Sequence, residues 1–219
     1  MTRAVVFDLF GTLVPPWPSS ATDELSKAMA RVFACDVEAF VRAWVADYDT
    51  RMTGPLEDSL RRVCERLGAT PATDDPAIVR IMGRRTAITR DHLLHPRTDA
   101  RPTLARLRAL GVPTGLISDC SSEVPVVWHE SPLAALITTP LFSCSEGVKK
   151  PDPAIFERAC ARLGVTPREC LYVGDGGSNE LEGATAVGMR AVQLRAGDTD
   201  GAGWGGEAIG SLSEALRLL

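Results

Sequence analysis

Val5-Val6-Phe7-Asp8-Leu9-Phe10-Gly11-Thr12-Leu13 is the stretch on which the fold of this chain turns. Ala4 to Phe7 is a short apolar run rich in β-branched residues, suited to a parallel strand buried on both faces. It stops at a carboxylate, and Gly11 then permits a sharp turn. A strand that ends in an acid at a tight turn presents that acid at the carboxyl edge of a sheet.

Downstream of this strand the pattern changes period. From Pro15 to about His95 the apolar residues recur at helical spacing: Leu25, Ala28, Met29, Val32 and Phe33; then Val37, Phe40, Val41, Trp44 and Tyr48; then Leu56, Leu60, Val63, Cys64 and Leu67; then Ile78, Ile81 and Met82. Ser20 with Asp23, Asp36 and Asp75-Pro76 supply starts for these helices, and Gly68 a stop. Four helices with no strand between them read as a small helical bundle. After Pro102 the rhythm is helix, strand, helix, strand. Strands are expected at Pro113–Ser118, Leu141–Cys144, Cys170–Val173 and Ala191–Leu194, and Ser211 with Glu214 boxes a final helix. Alternation of this kind implies a Rossmann-like, doubly wound parallel sheet, with its ligand crevice beyond the carboxyl ends of the strands. The expected organisation is therefore an α/β core from residues 1–14 and 97–219, interrupted by an all-α cap over 15–96.

Composition narrows the class without choosing a function. The 219 residues are 45% hydrophobic and 24% charged, with a formal net charge of −4. That balance gives no electrostatic reason to expect nucleic acid or an anionic membrane as partner. No apolar run approaches the roughly 20 residues of a membrane span. The six cysteines include no CxxC pair, so they are read as free, mostly buried intracellular thiols. A cytoplasmic enzyme acting on a small molecule is the expectation.

Four polar residues stand at or just after expected strand ends: Asp8, Ser118, Lys150 and Asp175. In an open α/β sheet they converge on one crevice. There a carboxylate can attack an electrophilic centre, a hydroxyl and an ammonium can hold an anionic group, and a further acid can bind a divalent cation. Singly, each has a structural reading: Asp8 or Asp175 as a turn residue, Ser118 as a helix cap, Lys150 as a solvated charge. Their joint occurrence, in order, carries the weight.

These segments resemble the four motifs of the haloacid dehalogenase-like (HAD) hydrolase superfamily. Asp8-Leu9-Phe10-Gly11-Thr12 is similar to its first motif, Leu116-Ile117-Ser118-Asp119 to the second, Gly147-Val148-Lys149-Lys150-Pro151 to the third, and Val173-Gly174-Asp175 through Glu180 to the fourth. The resemblance implies that Asp8 is a covalent nucleophile, that Ser118 hydrogen-bonds the transferred group, and that Lys150 neutralises nucleophile and substrate. It implies Mg²⁺ held by Asp8, the Phe10 backbone carbonyl and Asp175. Thr12, Asp119, Asn179 and Glu180 take supporting roles, and the helical cap closes over the site and selects a small anionic substrate.

One position departs from the family's phosphatases, which carry a second aspartate two residues after the nucleophile as general acid and base. Here it is Phe10, which can do neither. The family's haloacid dehalogenases place an aromatic residue there and need no metal, because halide leaves without a proton. Their fourth motif, however, lacks the Gly174-Asp175 pattern. Mg²⁺-dependent hydrolysis of a small phosphate ester is the first expectation, metal-independent 2-haloacid dehalogenation the second, and a degenerate module binding a phospholigand or partner the third. Trp17 is read as a candidate pocket residue or a packed hinge aromatic. Arg51 and Arg84-Arg85 are read as anion contacts or, more economically, as the charged face of a surface helix. His92, His95 and His129 are read as surface or packing residues.

Overall fold

A computed structural model describes residues 1–17, 19–69, 76–195 and 203–219, with the backbone alone for 19–23. The expected Ser20/Asp23 box, the Asp75 cap and most of the Gly-rich loop from Gly197 therefore lie outside the described residues. The chain opens with β1 (Ala4–Phe7), followed by α1 (Ser19–Val32), α2 (Val37–Ala46), the single turn α3 (Tyr48–Arg51), α4 (Leu56–Arg66) and α5 (Pro76–Leu94). The remainder alternates: α6 (Ala100–Ala109), β2 (Thr114–Ser118), α7 (Glu123–Val127), β3 (Thr139–Phe142), α8 (Ser143–Glu146), α9 (Pro153–Leu163), β4 (Cys170–Gly174), α10 (Glu180–Ala186), β5 (Arg190–Leu194) and β6 (Ala208–Ile209).

All six strands are parallel and lie in the order β3-β2-β1-β4-β5-β6. The chain winds outward from β1 in one direction through β2 and β3, and in the other through β4, β5 and β6. The switch point therefore falls between β1 and β4, where such folds place their ligand crevice. Strand β1 explains the layering residue by residue. Its four side chains are completely buried, with Val5 and Phe7 in one hydrophobic cluster and Ala4 and Val6 in another. Alternate side chains of a strand face opposite sides, so each sheet face has its own apolar layer. Leu104, Leu107, Val124 and Val127 of α6 and α7 cover the first, and Ile155, Phe156, Leu181 and Ala184 of α9 and α10 the second.

Helices α1, α2, α4 and α5 supply a third apolar cluster, centred on Met29, Phe40, Trp44, Leu60, Val63 and Ile81. Phe40 and Trp44, one helical turn apart, stack with ring centroids 6.0 Å apart, a pairing worth about 0.5–1.5 kcal/mol beyond the burial itself. Asp36 caps α2 by accepting the Ala39 N–H at 2.8 Å, and Asp152, ahead of Pro153, caps α9 through the Ala154 N–H. Among the described residues, no helix is long and apolar enough to cross a membrane.

Local differences from the sequence reading have physical causes. The expected final helix is wound as 3-10 over Leu212–Leu218, and its first N–H goes to Asp99 rather than to a box closed by Ser211. The third strand starts two residues early and gives way to α8 at Ser143. Tyr48, expected to continue α2, begins α3 and is 40% exposed. Helix α7 and strand β6 carried no readable period, being five and two residues long.

Candidate active site

The four expected residues meet at the carboxyl edge of the sheet. Asp8 leaves β1 with its backbone N–H on the Val173 carbonyl at 2.9 Å, so it lies against β4 at the switch point. Its side chain is buried and one carboxylate oxygen accepts from the Lys150 ammonium at 2.5 Å. Lys150, 2% exposed, also donates to Glu180 at 2.5 Å and lies 3.4 Å from both the Tyr172 hydroxyl and the Ile117 carbonyl. The Lys150–Pro151 peptide bond is cis. Asp119, directly after Ser118, accepts the Lys150 backbone N–H at 3.0 Å and so ties the second motif to the third.

Glu180 opens α10 and is fully buried. It takes hydrogen bonds from Lys150, from the Tyr172 hydroxyl at 2.8 Å and from the Gly176 N–H at 3.1 Å. Asp175 is held by the Gly177 N–H at 2.9 Å, while its own carbonyl accepts from Gln193. Two glycines make these approaches possible. A Cβ on Gly174 would stand 2.0 Å from a Glu180 carboxylate oxygen, and one on Gly11, whose φ is +86°, would stand 2.1 Å from Asp175.

The result is a cluster in which carboxylate oxygens of Asp8, Asp175 and Glu180 all lie within 4.8 Å of one another. With one ammonium among them, three ionised carboxylates would leave two negative charges in excess. Burial, and then Glu180, push Asp8 well above the ordinary carboxylate range, against the opposing pull of Lys150. Asp175 is raised for the same two leading reasons. Burial would lower Lys150, but the facing Asp8 and Glu180 outweigh it and hold the ammonium charged. The second oxygen of Asp8, the Ser118 hydroxyl, the Thr12 hydroxyl and the second oxygen of Asp119 are buried with no hydrogen-bond partner. Buried polar atoms without partners are rare. Three hard oxygen donors in excess negative charge suit Mg²⁺, and an unpartnered Asp8 oxygen is where a cation or a substrate would bind.

Other expected side chains point away from the cluster. Asn179 is exposed, in left-handed backbone at the start of α10. Phe10 is half-buried and packs its ring against Trp17 and His92, each with centroids 5.7 Å away. His92 also contacts the Pro15 carbonyl at 2.7 Å, whereas His129 is exposed. The reading of Arg51 and Arg85 as surface charges is corrected, for they are 6% and 8% exposed; Arg84 alone of the three faces solvent. Both buried arginines line a cavity of about 610 Å³ between the helical segment and the strand ends, with Phe10, Trp17, Trp44 and Asp119 also on its wall. Tyr172 and Glu123 were missed. The first looks like one more apolar strand residue, and the second sits in a helix too short to show a period.

Comparison with known proteins agrees with this geometry. The family model for haloacid dehalogenase-like hydrolases matches residues 2–188. Glyceraldehyde 3-phosphate phosphatase of Methanopyrus kandleri is 28% identical over 211 residues, covering 90% of this chain and 85% of that protein. Two solved structures align with a TM-score of 0.71. They are a HAD phosphatase from Thermococcus onnurineus (21% identity, 99% of this chain and 97% of that one) and a 2-haloacid dehalogenase from Pseudomonas syringae pv. tomato (24%, 100% and 98%). At those identities they report the fold alone, which phosphatases and dehalogenases share. The chain belongs to the haloacid dehalogenase-like hydrolase family.

Proposed function

We propose that this protein is a Mg²⁺-dependent phosphatase of a small phosphate ester, acting through an acyl phosphate on Asp8. The observation that carries the reading is the clustering of Asp8, Asp175 and Glu180 oxygens within 4.8 Å, with an Asp8 oxygen left unpartnered. The phosphatase name of the Methanopyrus relative supports it. A halide-releasing site has no use for excess negative charge, whereas a phosphatase binds a cation with it.

Asp8, Asp175 and the Phe10 carbonyl would hold Mg²⁺, with Glu180 beside them, and the ion would supply charge neutralisation for the phosphoryl oxygens. Lys150 keeps Asp8 oriented and offsets the charge of the incoming anion. Glu180 and Tyr172 fix the ammonium in turn. The Ser118 hydroxyl is free to donate to a phosphoryl oxygen, and Asp119 holds the Lys150 loop in register with it. The segment 15–96 acts as a cap that supplies most of the cavity wall.

The test is to incubate the protein with phosphate esters and with 2-haloacids, in Mg²⁺ or in chelator, and to assay phosphate and halide. Phosphate release that requires Mg²⁺ and disappears in Asp8→Asn is expected. Halide release indifferent to chelator would overturn the reading.

A further inference from the structure

Arg51 is the residue that the proposed chemistry leaves unused. One guanidinium nitrogen donates to the Trp44 carbonyl at 2.6 Å, and the group lies over the Trp44 ring, 4.1 Å from its centroid, with Tyr48 at 5.6 Å. Among the described residues it has no carboxylate partner, whereas its cavity neighbour Arg85 is held by Glu123 at 2.6 Å. Arg51 is 6% exposed and spends one of its five N–H donors on protein, while Asp47 and Glu123 act on it only at longer range, so its remaining donors face the cavity free to take an anion. Burial and the nearby Arg85 lower it to about 10, which leaves it charged at neutral pH.

Phe10, Trp17, Val41, Trp44 and Met52 make one part of the wall apolar, beside the polar Tyr48, Asp119 and Ser121. At about 610 Å³ the cavity has room for a ring and a carboxylate beside the phosphoryl group. Phe10 adds a chemical restriction. An alkoxide, whose conjugate acid is about as weak as water at pKa 15.7, needs a proton as it departs. A phenolate, near pKa 10, does not. His92, the titratable ring packed on Phe10, has its Nε2 engaged by the Pro15 carbonyl at 2.7 Å. Glu123 is committed to Arg85, and burial raises Tyr48 and Cys120, which makes both reluctant donors.

Resting on the phosphatase reading, we propose that the cavity takes an aryl phosphate whose ring bears a carboxylate. The ring lies among Phe10, Trp17 and Trp44, and the carboxylate pairs with Arg51. In the first step an Asp8 oxygen bonds to phosphorus and the phosphorus–phenol bond breaks. Its electron pair stays on the phenol oxygen, which leaves as phenolate. In the second step a water oxygen bonds to phosphorus, the Asp8–phosphorus bond breaks to restore the carboxylate, and both water protons leave on the phosphate or to solvent.

The test compares kcat/KM for 4-carboxyphenyl phosphate, phenyl phosphate, glycerol 3-phosphate and phosphoglycolate with the Mg²⁺-loaded protein. The carboxylated aryl ester is expected to exceed phenyl phosphate by about 10-fold or more, and both alkyl esters to be slower by about 100-fold or more. In Arg51→Met the ratio between the two aryl esters should fall to near one through KM, and Arg51→Lys should recover part of it. Phosphoglycolate turning over as fast as the carboxylated aryl ester would overturn the proposal. So would an aryl ratio near one in the wild-type protein, a measurement that needs no variant to fold. If Asp119 supplies the missing proton, glycerol 3-phosphate will be turned over well and Asp119→Asn will abolish that turnover, which also overturns it. No phosphate from any ester would instead sink the phosphatase reading itself.

Discussion

The crevice at the strand ends and the cavity beneath the helices differ in how their charges are held. In the crevice, Lys150 bridges two buried carboxylates, and the chain around each charged group is tied down: the Asp8 N–H on the Val173 carbonyl, the Lys150 N–H on the Asp119 carboxylate, and the Glu180 carboxylate on the Gly176 N–H. In the cavity, Arg51 of α3 rests on the ring and carbonyl of Trp44 on α2, and Arg85 reaches across from α5 to Glu123 on α7. A densely tied site suits chemistry that must be repeated with one geometry. A sparsely tied wall with a spare cation suits selection among ligands. The crevice groups thus stand at or beside strand ends, and the two cavity arginines on helices.

The largest expected effect tests the crevice. Asp8→Asn should reduce phosphate release at least about 10⁴-fold, measured as kcat/KM on the best ester of the panel. Thermal melting should show no loss of stability, and a gain is expected in metal-free protein. Burial and Glu180 hold the Asp8 carboxyl well above its usual range, so its charged form is disfavoured in the folded state, and an amide escapes that cost. A variant that is both inactive and strongly destabilised would mean that Asp8 is a structural member of the Lys150 network.

Arg85→Ala tests the seam between the two regions. It leaves Glu123, 3% exposed and with one oxygen already unpartnered, as a buried charge without its cation. The expected cost is about 3 kcal/mol or more, read by denaturant unfolding. Replacing both partners with apolar residues should recover most of it. A cost below about 0.5 kcal/mol, the range of ordinary surface substitutions, would return Arg85 to the surface role its sequence suggested.

Phe10→Asp crosses the comparison by adding a crevice function to a cavity residue. Turnover of glycerol 3-phosphate should rise about 10-fold or more, toward the 10²–10⁴-fold of a well-placed acid. Stability should fall by about 1 kcal/mol from the lost ring contacts with Trp17 and His92. An unchanged alkyl rate in a folded variant would show that another group already delivers the proton.

The two regions were not equally legible in the sequence. Asp8, Ser118, Lys150 and Asp175 could be read because a strand end fixes where its next residue lies, and a parallel sheet gathers all such ends on one edge. What joins them could not. The contact of Glu180 with Lys150 depends on Gly174 lacking a side chain, and Tyr172 meets both only because alternate residues of β4 face α9 and α10. The cavity was harder still, since its wall combines residues from Phe10 to Val124 on separate helices and loops. Some signal was present. Trp44, Tyr48 and Arg51 stand at four- and three-residue intervals, and Ile81, Arg85 and Thr89 share a buried face of α5. A charge riding an apolar face is a buried charge.

The smallest expected effect lies outside both regions and serves to calibrate them. Glu146, at the end of α8, accepts from Arg162 at 2.7 Å and from Arg158, both on α9 and both nearly half-exposed. The Arg162 hydrogen bonds, against partial burial, lower its carboxyl below the ordinary range. A lowered acid stabilises the fold fully above its unfolded value, about 4.3, and loses that contribution as pH falls through the lowered folded value. Glu146→Gln should therefore cost about 1 kcal/mol or less near neutral pH, and the gap between variant and parent should close as the medium is acidified below about pH 4. The Arg85–Glu123 pair should behave otherwise, because removing its arginine strands a charge that water cannot reach, and the cost of Arg85→Ala should persist in high salt. If salt erased the Arg85 effect as readily as it screens Glu146, the cavity's charges would be solvated ones, and Arg51 would lose its claim on an anion.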